Sequence, residues 1–214
     1  MSSIKAIVIG AESIASSIMN DVDNVRLINN SRIITGLEKE CIHLNLRICL
    51  MKIIVKAYSN PKDWILAFKH LIELRKKFLG NFKLKKLVVA DDKCYMGLYT
   101  PGWNDAIYER FIASELNYFK PVKEEPFRFN HVHLAITKKC ALQCDHCYAW
   151  DELNKKDKLN YECLTAIVNK LQSLGTCQIH LTGGEPMLKV DTLVNLIDKA
   201  ENTSNFWVNT SGFK

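Results

Sequence analysis

The sequence predicts an α/β protein, with a parallel sheet covered by helices in its last part and a smaller α+β region before it. Two observations predict this fold class. After residue 130, short apolar strands alternate with amphipathic helices, which is typical of parallel strands packed under helices. Before residue 121, a helix, a hairpin and a second helix follow one another instead. A chain of 214 residues is long enough for one sizeable core, or for one domain and part of another.

Apolar periodicity defines the elements after residue 130. Each strand is a short apolar run, and each helix repeats its apolar residues at the helical period. The predicted strands cover residues 131–137, 177–182 and 205–210, and the predicted helices cover residues 160–175 and 190–201.

The first part of the chain is less regular. Residues 4–9 predict a short strand, but residues 1–50 as a whole show no clear period and are interpreted as a poorly defined N-terminal extension. Residues 51–120 predict the α+β region, with a helix at 61–79, strands at 84–90 and 94–99, and a helix at 105–118. Two prolines and alternating charge mark residues 121–130 as a linker, so that residues 131–214 form the second domain.

The net charge of +6 is concentrated in one segment. Residues 62–86 contain eight lysines and arginines but only two acidic residues, an excess equal to that of the whole chain. The segment is either a solvated helix face or a docking surface for an anionic membrane or an acidic protein. So modest a net charge does not indicate nucleic acid, and no nucleic-acid partner is expected.

No apolar run is long enough to span a membrane, and the N-terminus does not have the pattern of a secretory signal. We therefore expect a cytoplasmic protein. Its eight cysteines are then expected to be reduced, metal-bound or catalytic, because disulfides are rare in reducing compartments.

Three cysteines lie close together in "TKKCALQCDHCYAW", directly after the first of the later strands. Cys140, Cys144 and Cys147 follow the pattern C-x3-C-x2-C, at the strand end where active sites gather in parallel α/β folds. Three interpretations are open: unliganded thiols, a Cys3His zinc site with His146 as fourth ligand, or a [4Fe–4S] cluster held by three cysteines. The third leaves one iron with an open coordination position.

A second motif, "LTGGEPML", follows the next strand. Gly183 and Gly184 allow close approach of the backbone to a ligand, and Glu185 adds an anion suited to an ammonium group. By itself the stretch could be an ordinary glycine turn.

Together, C-x3-C-x2-C after one strand and G-G-E-P after the next resemble the radical S-adenosylmethionine enzymes, over residues 131–214. The resemblance implies a partial (β/α) barrel, a [4Fe–4S] cluster bound by the three cysteines, and S-adenosyl-L-methionine bound to its open iron. It further implies cofactor contacts from Gly183, Gly184 and Glu185, and places His146 near the adenine. The family often has T-N-G after the third strand; here "TSG" makes Ser211 a cofactor-contact candidate.

The implied chemistry is the reductive cleavage of S-adenosylmethionine to a 5′-deoxyadenosyl radical, which takes a hydrogen atom from the substrate. The implied partners are a peptide or small-molecule substrate and a reductant such as a flavodoxin or ferredoxin. The motifs are most similar to those of the branch that includes molybdenum-cofactor cyclases and peptide-maturing enzymes. No catalytic side chain beyond the cluster ligands can be assigned from the sequence.

The resemblance covers only the first three β/α units of such a barrel, so we expect this chain to be a fragment of a longer protein. The third strand is then expected to have an unpaired edge. A rival interpretation, from a different functional class, is a zinc-stabilised interaction module whose basic helix binds an acidic partner.

Overall fold

The computed structural model describes residues 6–7, 32–80, 86–90, 92–97, 99–103, 105–122, 125–126 and 128–212. The chain divides into two units. One unit comprises Met1–Leu27 and Phe129–Lys214, and the other comprises Ile28–Arg128. The sequence placed a linker at residues 121–130, and the border between the units at Arg128 falls within that segment.

Seven strands and five α-helices are found along the described residues. In chain order they are β1 (Ala6–Ile7), β2 (Arg32–Ile34), α1 (Gly36–Ala57), α2 (Pro61–Leu79), β3 (Leu87–Ala90), β4 (Lys93–Tyr95), α3 (Ala106–Phe119), β5 (His131–Thr137), α4 (Tyr161–Ser173), β6 (Gln178–Gly183), α5 (Val190–Lys199) and β7 (Asn205–Val208). Two short 3-10 helices, Trp150–Glu152 and Pro186–Lys189, lie after β5 and β6.

The first unit contains a four-stranded parallel sheet with the order β1-β7-β6-β5. Its register places His133 opposite His180, and His180 opposite Trp207. The predicted α/β class with parallel strands is therefore confirmed. The carboxyl ends of β5, β6 and β7 lie at the same edge of the sheet, because all three strands run in one direction.

The expectation of an unpaired edge on the third strand is wrong for this structure. Ala6 pairs with Phe206 and Ile7 pairs with Trp207, so that β1 covers the outer edge of β7. This short strand lies inside the segment 4–9 that its apolar sequence predicted. A pairing so distant in sequence cannot be read from local periodicity, because it depends on where the sheet leaves an edge open.

One face of this sheet forms the core of the first unit. Alternate strand residues such as Leu134, Ile179 and Phe206 are buried there, as are the apolar faces of α4 and α5. The helices contribute Leu164, Val168, Leu193, Leu196 and Ile197. Asn160 begins α4 by accepting a hydrogen bond from the Cys163 amide at 2.9 Å, which satisfies one of the free donors of the first turn.

The opposite face of the sheet is polar and aromatic. His133, His180 and Trp207 form a row across three strands, with ring centroids 4.6 Å apart for the histidine pair and 6.0 Å apart for His180 and Trp207. Burial, together with the neighbouring His133 and His131 rings, lowers the pKa of His180 to about 4, so this buried ring is neutral near pH 7.

The second unit combines three helices with an antiparallel sheet of order β2-β3-β4. Helix α2 has the predicted bounds, with Asn60 accepting a hydrogen bond from the Lys62 amide at 3.0 Å and Pro61 in the first turn. Helix α1 was not predicted, and the boundary placed between residues 50 and 51 lies inside it. Its apolar residues lie on two opposite faces, which hides the single stripe that identifies an amphipathic helix.

The remaining predicted elements differ from the structure at their ends. The predicted strand 84–90 begins in residues outside those described, and β3 is seen from Leu87. The strand predicted at 94–99 is shorter, at Lys93–Tyr95, and Trp103 pairs with Cys94 beyond it. Within the described residues, no helix combines the length and apolar character needed to cross a membrane.

Substitution of Leu181 by alanine should strongly destabilise the first unit. Leu181 is fully buried in the core beneath the sheet, so the change leaves a cavity and should lower the free energy of unfolding by roughly 2–5 kcal/mol. Leu174→Ala is the matched control, because that leucine is about half exposed. Urea denaturation followed by circular dichroism measures both; equal effects would contradict the core assignment.

Candidate functional site

The three cysteines lie in the loop that leaves the carboxyl end of β5. Cys140 and Cys147 are half-buried, Cys144 is exposed, and none of the three is in a disulfide. The Cys147 amide donates to the Cys144 carbonyl at 3.1 Å, and the Trp150 amide donates to the Cys147 carbonyl at 3.2 Å. The second and third cysteines therefore lie on a tight turn that continues into the 3-10 helix at Trp150–Glu152.

Asn154 closes the cysteine loop. Its side-chain amide accepts from the Cys140 amide and donates to the Cys140 carbonyl, both at 3.1 Å. Its own backbone amide donates to the Lys138 carbonyl at 2.8 Å. The residue has a φ of +59°, a left-handed conformation that asparagine adopts more readily than most residues. One side chain thus fixes the backbone on both sides of the first cysteine.

Asp157 holds the start of the same loop. Its carboxylate accepts from the Lys138 amide at 2.6 Å and from the Thr137 hydroxyl at 3.0 Å, and it pairs with the Lys189 ammonium at 2.7 Å. Partial burial raises the pKa of this carboxyl, but Lys189 and the hydrogen bonds from Lys138 and Thr137 outweigh it and keep the pKa below its usual value. Because Lys189 follows the glycine turn, Asp157 also connects the loops after β5 and β6.

The glycine turn after β6 packs directly against the cysteine loop. The Gly184 amide donates to the Thr137 carbonyl at 2.8 Å, and the Glu185 amide donates to the Lys139 carbonyl at 2.7 Å. A Cβ atom on Gly184 would lie 2.3 Å from the Lys139 oxygen and 3.0 Å from the Cys140 Cβ. Gly184 is therefore required by the approach of the two loops.

Gly183 is constrained in two ways. Its φ is +149°, which L side chains rarely adopt, and a Cβ there would lie 2.3 Å from the Thr137 carbonyl oxygen. The sequence explained both glycines by the approach of a ligand, whereas the structure shows the backbone of the cysteine loop in contact with them.

Glu185 joins the ends of β6 and β7. The side chain is only 2% exposed. Its Oε1 accepts from the Met187 amide at 2.9 Å and the Thr210 hydroxyl at 2.5 Å. Its Oε2 accepts from the Ser211 amide at 2.9 Å and the Ser211 hydroxyl at 2.5 Å. These four bonds match the acceptor capacity of a carboxylate, so the charge is stabilised by protein donors.

The structure brings Glu185 and Ser211 into direct contact, although the sequence suggested them as separate contributors. His146 is exposed in the cysteine loop, and among the described residues its ring has no hydrogen-bond partner. Tyr148 and Trp150 are also exposed there, with Tyr148 82% exposed.

The thiols are not arranged around a single ion. Within the described residues, no group of three or more histidine, cysteine, aspartate or glutamate side chains is placed to hold one metal ion. The Cys3His zinc site with His146 therefore finds no support in the geometry, because tetrahedral zinc requires its ligands to converge at about 2.0–2.3 Å from one point.

Asn154 and Asp157 were missed from the sequence. Their loop is polar and has no repeating apolar residues, so no periodic pattern marks them. Residue type could have identified them, because asparagine and aspartate side chains in loops commonly form hydrogen bonds with nearby backbone amides.

A family model described as "4Fe-4S single cluster domain" matches residues 131–214. Among the relatives, a probable GTP 3′,8-cyclase from Archaeoglobus fulgidus is 34% identical over 61 residues, which cover 28% of this chain and 21% of that protein. A GTP 3′,8-cyclase from Alkaliphilus oremlandii is 29% identical over 90 residues, covering 40% and 28%. One from Haemophilus influenzae is 30% identical over 97 residues, covering 42% and 29%.

These alignments span between about a fifth and just under a third of each relative's length. No solved structure shows a significant match to the chain.

Three of the four strands of the parallel sheet, with the cysteine loop at its carboxyl edge, lie within residues 131–214, the same residues that are similar to the iron–sulfur family model. Together with the cyclase relatives, they confirm the resemblance that the sequence predicted: residues 131–214 are similar to the radical S-adenosylmethionine enzymes, in the branch of the molybdenum-cofactor cyclases. The relatives are enzymes, and the two expected cofactors, a [4Fe–4S] cluster and S-adenosylmethionine, are those of this superfamily.

Substitution of Gly184 by alanine should displace the cysteine loop, because the new Cβ has no room beside Lys139 and Cys140. We expect a loss of roughly 1–3 kcal/mol in the free energy of unfolding and an iron content well below that of the wild type. Iron and sulfide analysis after anaerobic reconstitution measures the second effect. Gly97→Ala is the control, since a Cβ there meets nothing within 4 Å; normal iron binding by Gly184→Ala would contradict the close packing.

Substitution of Asp157 by asparagine should destabilise the first unit in a pH-dependent manner. The pKa of Asp157 is lowered by folding, so its contribution is complete above the usual aspartate pKa and is lost as the pH falls through the folded-state value. At pH 7 we expect a loss of the order of 1 kcal/mol, because the site is partly exposed to solvent.

The difference between wild type and Asp157→Asn should shrink as the pH falls below the usual aspartate pKa and through the lower folded-state pKa, where the wild-type carboxyl becomes protonated too. Urea denaturation at several pH values measures it. Asp151→Asn, in an exposed part of the same loop, serves as the control. A difference that stays constant with pH would show that the Asp157 charge is not involved.

Proposed function

We propose that this chain is part of a radical S-adenosylmethionine enzyme, with Cys140, Cys144 and Cys147 as ligands of a [4Fe–4S] cluster. The observation that carries the proposal is the packing of the G-G-E-P turn onto the cysteine loop. The Glu185 amide bonds to the Lys139 carbonyl at 2.7 Å, immediately before the first cysteine. Two motifs that are far apart along the chain are therefore in contact at the carboxyl edge of a parallel sheet. Such folds bind ligands at this edge.

The cysteine loop suits a four-iron cluster better than a single ion. Each thiolate of such a cluster binds a different iron, so the three sulfur atoms need not converge on one point. Three cysteines leave one iron open for a cofactor, and soft thiolates are ligands that iron–sulfur clusters prefer.

S-adenosylmethionine would lie beside the cluster, against the backbone of Gly183, Gly184 and Glu185, because the Glu185 carboxylate already accepts four hydrogen bonds from protein donors. Ser211 and His146 are further candidate contacts. When bound, cluster and cofactor supply the reductive cleavage of a sulfonium carbon–sulfur bond, for hydrogen-atom abstraction from the substrate.

The residues of the chain contribute rigidity. Asn154 holds both sides of Cys140, Asp157 connects the two loops, and Glu185 joins the ends of β6 and β7. A site whose backbone is held on three strand ends keeps its groups in a fixed geometry, which is what positioning a reactive cofactor requires.

For the fold of the first unit, we propose a partial (β/α) barrel. Helices α4 and α5 pack on one face of the sheet, and the row formed by His133, His180 and Trp207 lies on the other. In a (β/α) barrel the helices likewise lie outside and the opposite face of the strands lines the interior. The polar row therefore corresponds to an interior layer below the site.

The reaction type is better supported than the substrate. The relatives are named GTP 3′,8-cyclases, but the matches span less than a third of the length of those proteins. We therefore propose a small-molecule or peptide substrate, a reductant such as a flavodoxin or ferredoxin, and the reducing conditions of the cytoplasm, which free thiols require.

Substitution of Cys144 by alanine in the full chain should abolish cluster binding. After anaerobic reconstitution, the wild type should contain iron and sulfide and absorb broadly near about 400 nm, while Cys144→Ala should lose most of both. Cys163→Ala is the matched control, since Cys163 is an exposed cysteine on α4. Bound zinc in place of iron, or full iron content in Cys144→Ala, would overturn the proposal.

The same reconstituted protein tests the cofactor. We expect 5′-deoxyadenosine to form from S-adenosylmethionine after reduction with dithionite, in the wild type and in Cys163→Ala but not in Cys144→Ala. A reconstituted cluster that leaves S-adenosylmethionine intact and unbound would limit the chain to iron–sulfur binding.

A further inference from the structure

Helix α1 of the second unit is apolar on two opposite faces. Leu46, Ile53 and Ile54 are buried on one face, which packs within the unit. A surface helix of a monomer normally has a polar outer face, and a helix that is apolar all round is usually covered on both sides. The outer face of α1 is therefore unusual.

The exposed stripe of α1 is defined by five exposed residues, Leu37, Cys41, Leu44, Ile48 and Val55, together with the half-buried Met51. These positions are separated alternately by four and three residues, the repeat of a coiled-coil seam. Leu37 is 85% exposed, Leu44 57% and Val55 45%. A shallow, open depression of about 570 Å³ lies over the second half of the stripe, lined by Ile48, Met51 and Val55 together with Arg47, Lys52 and Lys56.

Charge along α1 is asymmetric. Glu38 and Glu40 flank the first part of the stripe, and Arg47, Lys52 and Lys56 flank the second part. Glu38 pairs with Arg32 at 2.6 Å and Glu40 with Lys39 at 3.1 Å, but both carboxylates stay about half exposed or more. Exposed pairs of this kind are weak, so they leave the carboxylates able to interact with a further cation.

Such a helix is complementary to a copy of itself in antiparallel orientation. The acidic end of one copy then meets the basic end of the other, whereas a parallel arrangement brings like charges together. A two-fold axis at the level of Leu46 pairs Leu37 with the partner's Val55, Cys41 with the partner's Met51, and Leu44 with the partner's Ile48. All six stripe positions find an apolar counterpart under this one operation, as an isologous interface requires.

We propose that the exposed stripe of α1 is a homodimer interface, covered by α1 of a second copy of this chain in antiparallel orientation. The seam is about 27 Å long, from 18 residue steps at about 1.5 Å each. One helix per copy makes a small interface, so the dimer is reversible and depends on protein concentration.

Ile48→Glu tests the interface, because it places a charge next to the two-fold axis. The wild type should approach about 49 kDa, twice the chain mass of 24.5 kDa, as its concentration is raised to about 100 µM in light scattering. Ile48→Glu should remain a monomer. Ile65→Glu, at an isoleucine of α2 that is 63% exposed, should dimerise like the wild type.

Circular dichroism shows whether each variant is folded. A wild type that stays monomeric at every concentration would overturn the proposal, and it is the result expected if a different protein covers the stripe. An Ile65→Glu variant that dissociates as Ile48→Glu does would overturn it as well.

Met51→Cys tests the orientation independently of stability. In the antiparallel dimer the introduced thiol lies beside the partner's Cys41, so mild oxidation should link the two positions, as peptide mapping by mass spectrometry would show. Asn45→Cys, on the same helix but off the stripe, should not form this link. The two native Cys41 residues should lie about 15 Å apart along the axis, so a Cys41–Cys41 bond in the wild type would establish a parallel pairing and refute the antiparallel one.

Discussion

The contact between the G-G-E-P turn and the start of the cysteine loop is the constraint on which the site depends. Gly184 lies so close to Lys139 and Cys140 that a single methyl group would not fit. Two backbone hydrogen bonds, from Gly184 to Thr137 and from Glu185 to Lys139, extend the pairing of β5 and β6 beyond the strands themselves. The first cysteine is therefore positioned by the neighbouring strand as well as by its own loop.

Side chains connect the two packed loops to the rest of the cysteine loop and to the end of β7. Asn154 and Asp157 bring the far end of the cysteine loop back to its beginning, and Lys189 brings the segment after the glycine turn to the same carboxylate. Glu185 connects the turn to the end of β7 through Thr210 and Ser211. The result is a network of polar side chains around the cysteine loop, in which Glu185 is buried, Asp157 and Lys189 are half-buried, and Asn154 and Ser211 are exposed. A buried carboxylate with four donors is costly to assemble but rigid once formed.

The two units of the chain differ in how far local sequence predicts them. The strand at 131–137 and the helix at 61–79 were predicted with the bounds that the structure shows, because each has a single apolar period and clear end signals. Helix α1 was missed, because apolar residues on two faces leave no single period. The same feature suggests that its outer face is covered by a second copy of the chain. Strand β1 was visible only as a short apolar run, and its place in the sheet beside β7 could not be foreseen.

The sequence by itself determined the chemistry: three thiols at C-x3-C-x2-C spacing, a glycine turn, and the α/β class with parallel strands. Those features are local, since they depend on residue type and on spacing over a few positions. Only the tertiary structure decided which groups meet. In the structure, Gly183 packs against Thr137 and Gly184 against Lys139 and Cys140, Glu185 accepts hydrogen bonds from Thr210 and Ser211, and His146 is exposed to solvent. Contacts between residues far apart in the chain depend on the register of neighbouring strands, which spacing along the sequence does not encode.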